Sequence, residues 1–341
     1  MAGEAEKTGP AAVPCGLLNL NKPAGLTSRR AVDLVQRLSR RLKAGHAGTL
    51  DPLATGVLVV CVGTATRLIE HVQQMPKRYE ATFLLGRRSP SDDTEEEITE
   101  LVDPPIPSSD QVLAAAAALT GVIQQRPPAY SAVKVEGQRA YRLARKGQLL
   151  DLAPRTVNVH RLEILGYEYP ELRLRVECGS GTYVRSLGRD LAAALGTAAV
   201  MSALVRTAIG GFRVEDAVSP DLLTRQNWTE HLLPPLRAVE SLPRIVLSAP
   251  DVARVRAGQT ISPSQPLRVA CPHDAKRRVG TFAVPAESAA APVEGMPPAA
   301  ATPDPPELAA VDAAGHLVAI LRPRGPGLLG PTCVLPEHET A

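Results

Sequence analysis

Asp51 is a carboxylate whose setting makes it a candidate for covalent chemistry. It stands in GHAGTLDPLATGVL, residues 45–58, a stretch dense in glycine and small residues that holds one histidine, His46, and one carboxylate. Backbone without bulky side chains can approach a ligand closely. The structural alternative is an ordinary helix start, because Asp followed by Pro pairs a capping residue with a first helical position. His46 alone reads as a hydrogen-bonded loop residue, and with no cysteine or third carboxylate nearby the segment does not read as a metal site.

Elements on either side must hold this segment. GVLVVCV (Gly56 to Val62) is continuously apolar and β-branched, the pattern of a buried central strand, and YEATFLL (Tyr79 to Leu85) is a second strand, with a short helix over Thr66 to Val72 between them. GLLNL (Gly16 to Leu20) predicts a strand that turns at Pro23 and Gly25. Thr27 or Ser28 then caps a helix, AVDLVQRLSRRL, whose apolar side is Ala31, Leu34, Val35, Leu38 and Leu42. Acids at 92–97 make a loop, and SSDQVLAAAAALTG predicts a capped helix ending at Gly121. Alternation from Thr156 to Val176 predicts antiparallel strands, Ser186 to Leu195 a helix with Gly196 after it, and Ile209 to Val214 a strand. Without regular βαβ alternation the class is α+β.

The chain is 341 residues and 44% hydrophobic, enough for one large domain and a smaller one without staples. Five scattered cysteines form no C-x-x-C pair, which suits a reducing cytoplasm, and no uncharged run is long enough to span a bilayer. The net charge of +3 makes no case for nucleic acid, but local charge does. Arg29, Arg30, Arg37, Arg40, Arg41 and Lys43 crowd one stretch against Asp33. Residues 124–155 carry Arg126, Lys134, Arg139, Arg142, Arg145, Lys146 and Arg155 against Glu136 and Asp151. Each run alone reads as a solvated face; two in one domain point to a polyanion. Pro127 and Pro128 predict an extended, exposed path into the second run. CGSGTY lacks the G-x-S-x-G spacing of a serine hydrolase.

Several blocks together resemble one family. GHAGTLDPLATGVLVVCVGTATR (Gly45 to Arg67) is similar to the nucleophile motif of TruB-type pseudouridine synthases, with Ala47 where that family often has Thr. LLNLNKPAGLTS, KRYEATFLLG, RPPAYSAVKVEGQRAYRLARKG and CGSGTYVRSLGRDL follow in the family's order, so the resemblance covers residues 15–215. It implies a pseudouridine synthase fold, a mixed and largely antiparallel sheet flanked by helices, over 15–238 after a disordered tail, 1–14. It also implies a basic segment, 124–155, that closes over RNA. Residues 239–341 resemble a small β-rich PUA-like domain only loosely, interrupted by a Pro/Ala-rich insert, 285–306, whose composition predicts disorder.

By matching motif, the resemblance implies that Asp51 is the nucleophile, Tyr79 the ring stacking on a flipped uracil and Arg185 the partner of the aspartate. His46 would fill the space the uridine leaves, Lys22 and Pro23 would brace the wall, and Leu204 would line the pocket. Tyr183, Arg126, Lys134 and Arg142 join them as substrate-binding candidates. The implied substrate is the T-loop uridine of tRNA, position 55, handled by a cytoplasmic monomer. Isomerising uridine breaks N1–C1′ and joins C5–C1′ with no redox change, so no cofactor or metal is expected. Uracil leaves as a delocalised anion, so one carboxylate suffices where a retaining glycosidase needs two. Attack at C1′ and attack at C6 both fit. A guanidinium beside Asp51 should lower its pKa and keep it ionised. Two other readings compete: a guide-RNA-dependent synthase of the dyskerin kind, and an RNA chaperone with a decayed site.

Overall fold

The computed structural model describes residues 13–131, 133–135, 137–144, 147–148, 152–262, 267–269, 280–282 and 307–336. The N-terminal twelve residues, Arg145, Lys146, Asp151, Cys271 and the Pro/Ala-rich segment expected to be disordered lie outside them.

The longest apolar runs pair into one sheet. Its strands are β1 (Gly16–Lys22), β2 (Ala44–His46), β3 (Thr55–Val62), β4 (Lys77–Leu85), β5 (Gly121–Gln125), β6 (Arg155–Glu168), β7 (Glu171–Cys178), β8 (Ala199–Ile209) and β9 (Phe212–Arg213). They run in the order β1-β3-β8-β4-β7-β6-β5, with β2 added to β3 and β9 to β8. Every pairing is antiparallel except β3 with β8, which meet in parallel at Val205↔Thr55 and Arg206↔Gly56. The expected mixed, largely antiparallel sheet is therefore present.

Helices cover both faces. α1 (Ser28–Leu38) starts at Thr27, whose side chain accepts from the Arg30 amide, and buries Ala31, Val32 and Val35 against Leu18, Leu20, Leu58 and Val60. It ends earlier than its pattern predicts. Arg40 and Arg41 take positive φ, 52° and 67°, which the helix cannot continue through. The short helix expected after β3 is a 3₁₀ turn, Gly63–Leu68, running into α2 (Ile69–Gln74). On the other face α3 (Ser109–Ala118) and α5 (Val184–Ala194) pack over Phe83, Leu172, Leu174 and Val176. A short α4 (Ala140–Ala144) lies in the basic segment.

α5 crosses its sheet at Gly188 so closely that a Cβ there would fall 2.0 Å from Phe83 Cε1. Gly188→Ala is expected to lower stability by about 1–3 kcal/mol, through overpacking, despite alanine's better helix propensity. Urea unfolding of the two proteins reads this directly.

Two expectations fail here. The strand expected over Ile209 to Val214 is a hairpin: Ile209 closes β8, Gly210 and Gly211 turn, and β9 returns. Pro127 and Pro128 are buried rather than exposed, because α5 packs on the chain entering the basic segment. The C-terminal region is strand-rich, as expected: β10 (Arg244–Val246), β11 (Leu308–Val311), β12 (Leu317–Gly325) and β13 (Leu328–Val334) form a sheet, with the helix α6 (Ala249–Arg256) beside it. Ala309, Leu317, Ile320 and Leu335 of this region share one apolar cluster with Leu17, Val57, Val59 and Phe212.

Candidate active site

Asp51 caps no helix. Residues 51–54 form a turn, closed by the Ala54 amide donating to the Asp51 carbonyl, that leads straight into β3, so the structural alternative for the Asp-Pro pair is removed. Most residues of this loop are held by a partner elsewhere in the chain, and three of those partners, Arg206, Ser28 and Lys22, are buried. Arg206 donates to the carbonyls of Gly48 (3.1 Å) and Thr49 (3.3 Å). The Ser28 hydroxyl donates to the Leu50 carbonyl and accepts from the Leu50 amide. Lys22 Nζ and the Gly25 amide donate to the Pro52 carbonyl, and the Leu53 amide donates to Glu95. The carboxylate is thereby fixed by backbone on both sides.

Arg185 meets that carboxylate from α5. Its Nε lies 3.0 Å from Asp51 Oδ2 and its Nη1 3.2 Å from Asp93 Oδ2, and it also donates to the carbonyls of Ser91 (2.7 Å) and Tyr130 (3.0 Å). The guanidinium is 5% exposed and Asp93 1%, whereas Asp51 keeps 32% of its side chain open to solvent. One cation thus serves two carboxylates, one sealed and one facing outward. Asp93 is held in turn by the Ser91 hydroxyl and the Glu95 amide.

Electrostatics differ from the simplest expectation. Burial pushes the Asp51 carboxyl above its ordinary value; Arg185 pulls it back, Asp93 adds to the push, and the net direction is up rather than down. Chemistry that needs ionised Asp51 should therefore fail on acidification at a pH above the ordinary aspartate range, near about 3.9. A single-turnover rate followed from neutral into acid pH checks this; a rate flat down to that range contradicts it.

Around this pair stand most of the other candidates. Tyr79 on β4 is 8% exposed and shares an apolar cluster with Leu50, Val184 and Leu204. Its phenol is pushed up by burial and pulled back by Arg206. Lys22 is fully buried at the end of β1 and donates to the carbonyls of Pro23 (2.9 Å), Leu26 (2.7 Å) and Pro52 (3.2 Å). Burial lowers its pKa to about 8. Tyr183 precedes α5, its backbone gripped at both N–H and C=O by the Gln125 side chain. His46 ends β2, opposite Val60, at the root of the loop.

The basic segment is tied to the same helix. The Arg126 carbonyl accepts from Ser186 and Arg189 of α5. Arg142 is exposed on α4, 6.0 Å above the Tyr141 ring. For Lys134 only the backbone, in a two-residue hairpin with Arg139, is described. Sequence reasoning missed Ser28, Asp93 and Arg206. Asp93 lay in a loop read only as acidic, and Arg206 in a strand the pattern did not show.

Among the described residues no cluster of three histidine, cysteine or acidic side chains is arranged to hold a metal ion, and no helix is long and apolar enough to cross a membrane. Cys15, Cys61, Cys178 and Cys333 are free thiols.

Comparison with known proteins gives the family. Residues 36–184 match the N-terminal domain of TruB family pseudouridylate synthases. The chain is 44% identical over 257 residues to tRNA pseudouridine synthase B of Thermobifida fusca, covering 73% of this chain and 87% of that one. With the enzyme of the same name from Rhodopirellula baltica it is 38% identical over 274 residues, 74% of this chain and 79% of that one. A chain in the crystal structure of a Cbf5-Nop10-Gar1 complex superposes with a TM-score of 0.64 at 25% identity, covering 92% of this chain and 80% of that one. On these matches, the first of which runs through the loop of Asp51 and the strand of Tyr79, the chain belongs to the TruB family of pseudouridylate synthases.

Proposed function

We propose that this protein isomerises uridine to pseudouridine in the T-loop of tRNA, through a covalent adduct on Asp51 formed after the base leaves its stack. The observation that carries the reading is the Asp51–Arg185 pair, 3.0 Å apart, beside the apolar cluster that holds Leu50, Tyr79 and Leu204. Unstacking the base costs a few kcal/mol, and stacking on an aromatic ring such as Tyr79 returns roughly 1–3 kcal/mol. The reacting atoms then meet a carboxylate already held in place, so the protein contributes position and charge rather than a second acid. Arg185 orients Asp51, while Lys22 and Pro23 support the turn behind it. His46, Tyr183 and Leu204 shape the space around the base, and Arg126, Lys134 and Arg142 meet the phosphates of the RNA.

The wider organisation follows the same reading. Residues 15–238 form the catalytic unit and 239–341 a PUA-like one. The protein acts as a monomer in the cytoplasm, without a cofactor. Closer identity to tRNA pseudouridine synthase B chains than to the Cbf5 chain favours a stand-alone tRNA enzyme over a guide-dependent one.

A transcript in which the T-loop uridine is replaced by cytidine tests the site. Conversion should vanish from that RNA while binding persists, and pseudouridine at other positions would contradict the assignment. Phosphate contacts by the basic segment predict a steep fall of tRNA affinity with salt; replacing Arg142 with Gln should reduce the log–log slope by about 1. Filter binding over a salt series measures it, and an unchanged slope removes Arg142 from the contact set.

A further inference from the structure

Arg206 is 1% exposed, yet its guanidinium meets backbone carbonyls rather than a carboxylate: Nε donates to Val57 (2.7 Å), Nη1 to Thr49 (3.3 Å) and Nη2 to Gly48 (3.1 Å). A buried charge is costly to keep without a counter-ion. Joining strand to loop would need only a neutral donor. What the guanidinium adds is a rigid planar fork whose donors reach several carbonyls at once.

Its place in the sheet explains why those carbonyls matter. Arg206 sits at the parallel junction, registered with Gly56 on β3 and with Tyr79 on β4. At Gly56, with φ +95°, a Cβ would lie 2.3 Å from the Arg206 carbonyl, so the two backbones touch and leave Arg206 no room to shift. From that fixed root the side chain runs beneath the loop and holds it two and three residues before Asp51. The same guanidinium lies close enough to the Tyr79 phenol to pull its pKa back down against burial. Arg185 holds the carboxylate of Asp51 from α5 and touches none of this backbone.

We propose that Arg206 is a positioning residue for the isomerisation: by fixing the Gly48 and Thr49 carbonyls it sets where Asp51 meets Arg185 and the base stacked on Tyr79. This rests on the function proposed above, and two separate readouts keep the two claims apart. A misplacement of about 1 Å at a reacting group can cost about 100-fold in rate. A lysine at this position carries the charge but satisfies fewer carbonyls, in a different direction.

The test compares wild type with Arg206→Lys. Single-turnover pseudouridine formation at saturating unmodified tRNA should fall by about 100-fold, with affinity changed less than about threefold. Hydrogen exchange in the ligand-free protein should rise within residues 45–56 while the strand of Tyr79 keeps its protection. Equal rates, or a rate loss matched by loss of tRNA affinity, would overturn the proposal, as would unchanged exchange in the loop. A wild type inactive on tRNA would overturn the functional reading instead, and loop exchange would still decide the role of Arg206. If the lysine variant does not fold, Arg206→Gln, a neutral planar donor, takes the same measurements.

Discussion

Asp51→Asn is expected to lower pseudouridine formation by about 10⁴-fold or more while tRNA affinity stays within about threefold. The amide keeps the size of the side chain, and the loop is anchored by Arg206, Ser28, Lys22 and Glu95 through other residues, so the fold does not depend on the carboxylate. Only the nucleophile is lost. Stability should move the other way. Burial raises the folded-state pKa of Asp51, so the folded protein binds this proton more tightly than the unfolded chain does. The group's contribution then falls as pH rises from the unfolded aspartate pKa to the higher folded one, and at neutral pH the ionised form is a net cost. A neutral amide removes that cost, and Asp51→Asn should melt no lower than wild type. A drop of several degrees would mean that the Arg185 pair outweighs burial.

Arg185→Met should fail in both respects. The guanidinium contacts Asp51, Asp93 and the carbonyls of Ser91 and Tyr130, and its removal leaves two carboxylates facing each other without the cation. Breaking a buried pair from one side costs about 3–5 kcal/mol, because the remaining charge stays behind unpaired. The strongest factor holding Asp51 ionised also disappears, so a rate loss of about 10³-fold or more is expected alongside. Arg185→Lys separates the two effects. Lysine restores charge, and with it part of the stability, but cannot span four acceptors, so the rate should remain low. Thermal melts and single-turnover rates on the same preparations distinguish these outcomes.

Local features of the sequence carried the site's chemistry and missed its support. Asp51, Tyr79 and Arg185 lie in compact blocks whose residue types already fit a nucleophile, a stacking ring and a cation. The apolar runs that became β3 and β4 announced the strands that hold them. Arg206 could not be read this way: its acceptors Val57 and Gly48 lie 149 and 158 residues away, a pairing created only by the parallel junction of β3 and β8. Asp93 reaches Arg185 because the loop at 91–94 exchanges backbone bonds with Met201, again a contact between distant segments. The direction of the Asp51 pKa was misjudged for a related reason. A neighbouring arginine is legible in a motif, but burial and a second carboxylate are properties of the folded site. The strand expected over Ile209 to Val214 takes in Gly210 and Gly211, which in the fold form the turn that ends β8.

The central claim is best tested by giving wild-type protein unmodified tRNA with no added cofactor, metal or guide RNA, and reading pseudouridine by position, with Asp51→Ala alongside. Conversion of the T-loop uridine by wild type alone is the predicted result. Tight binding of tRNA with the uridine left intact by both proteins would contradict it, and would point to a guided enzyme or an RNA chaperone.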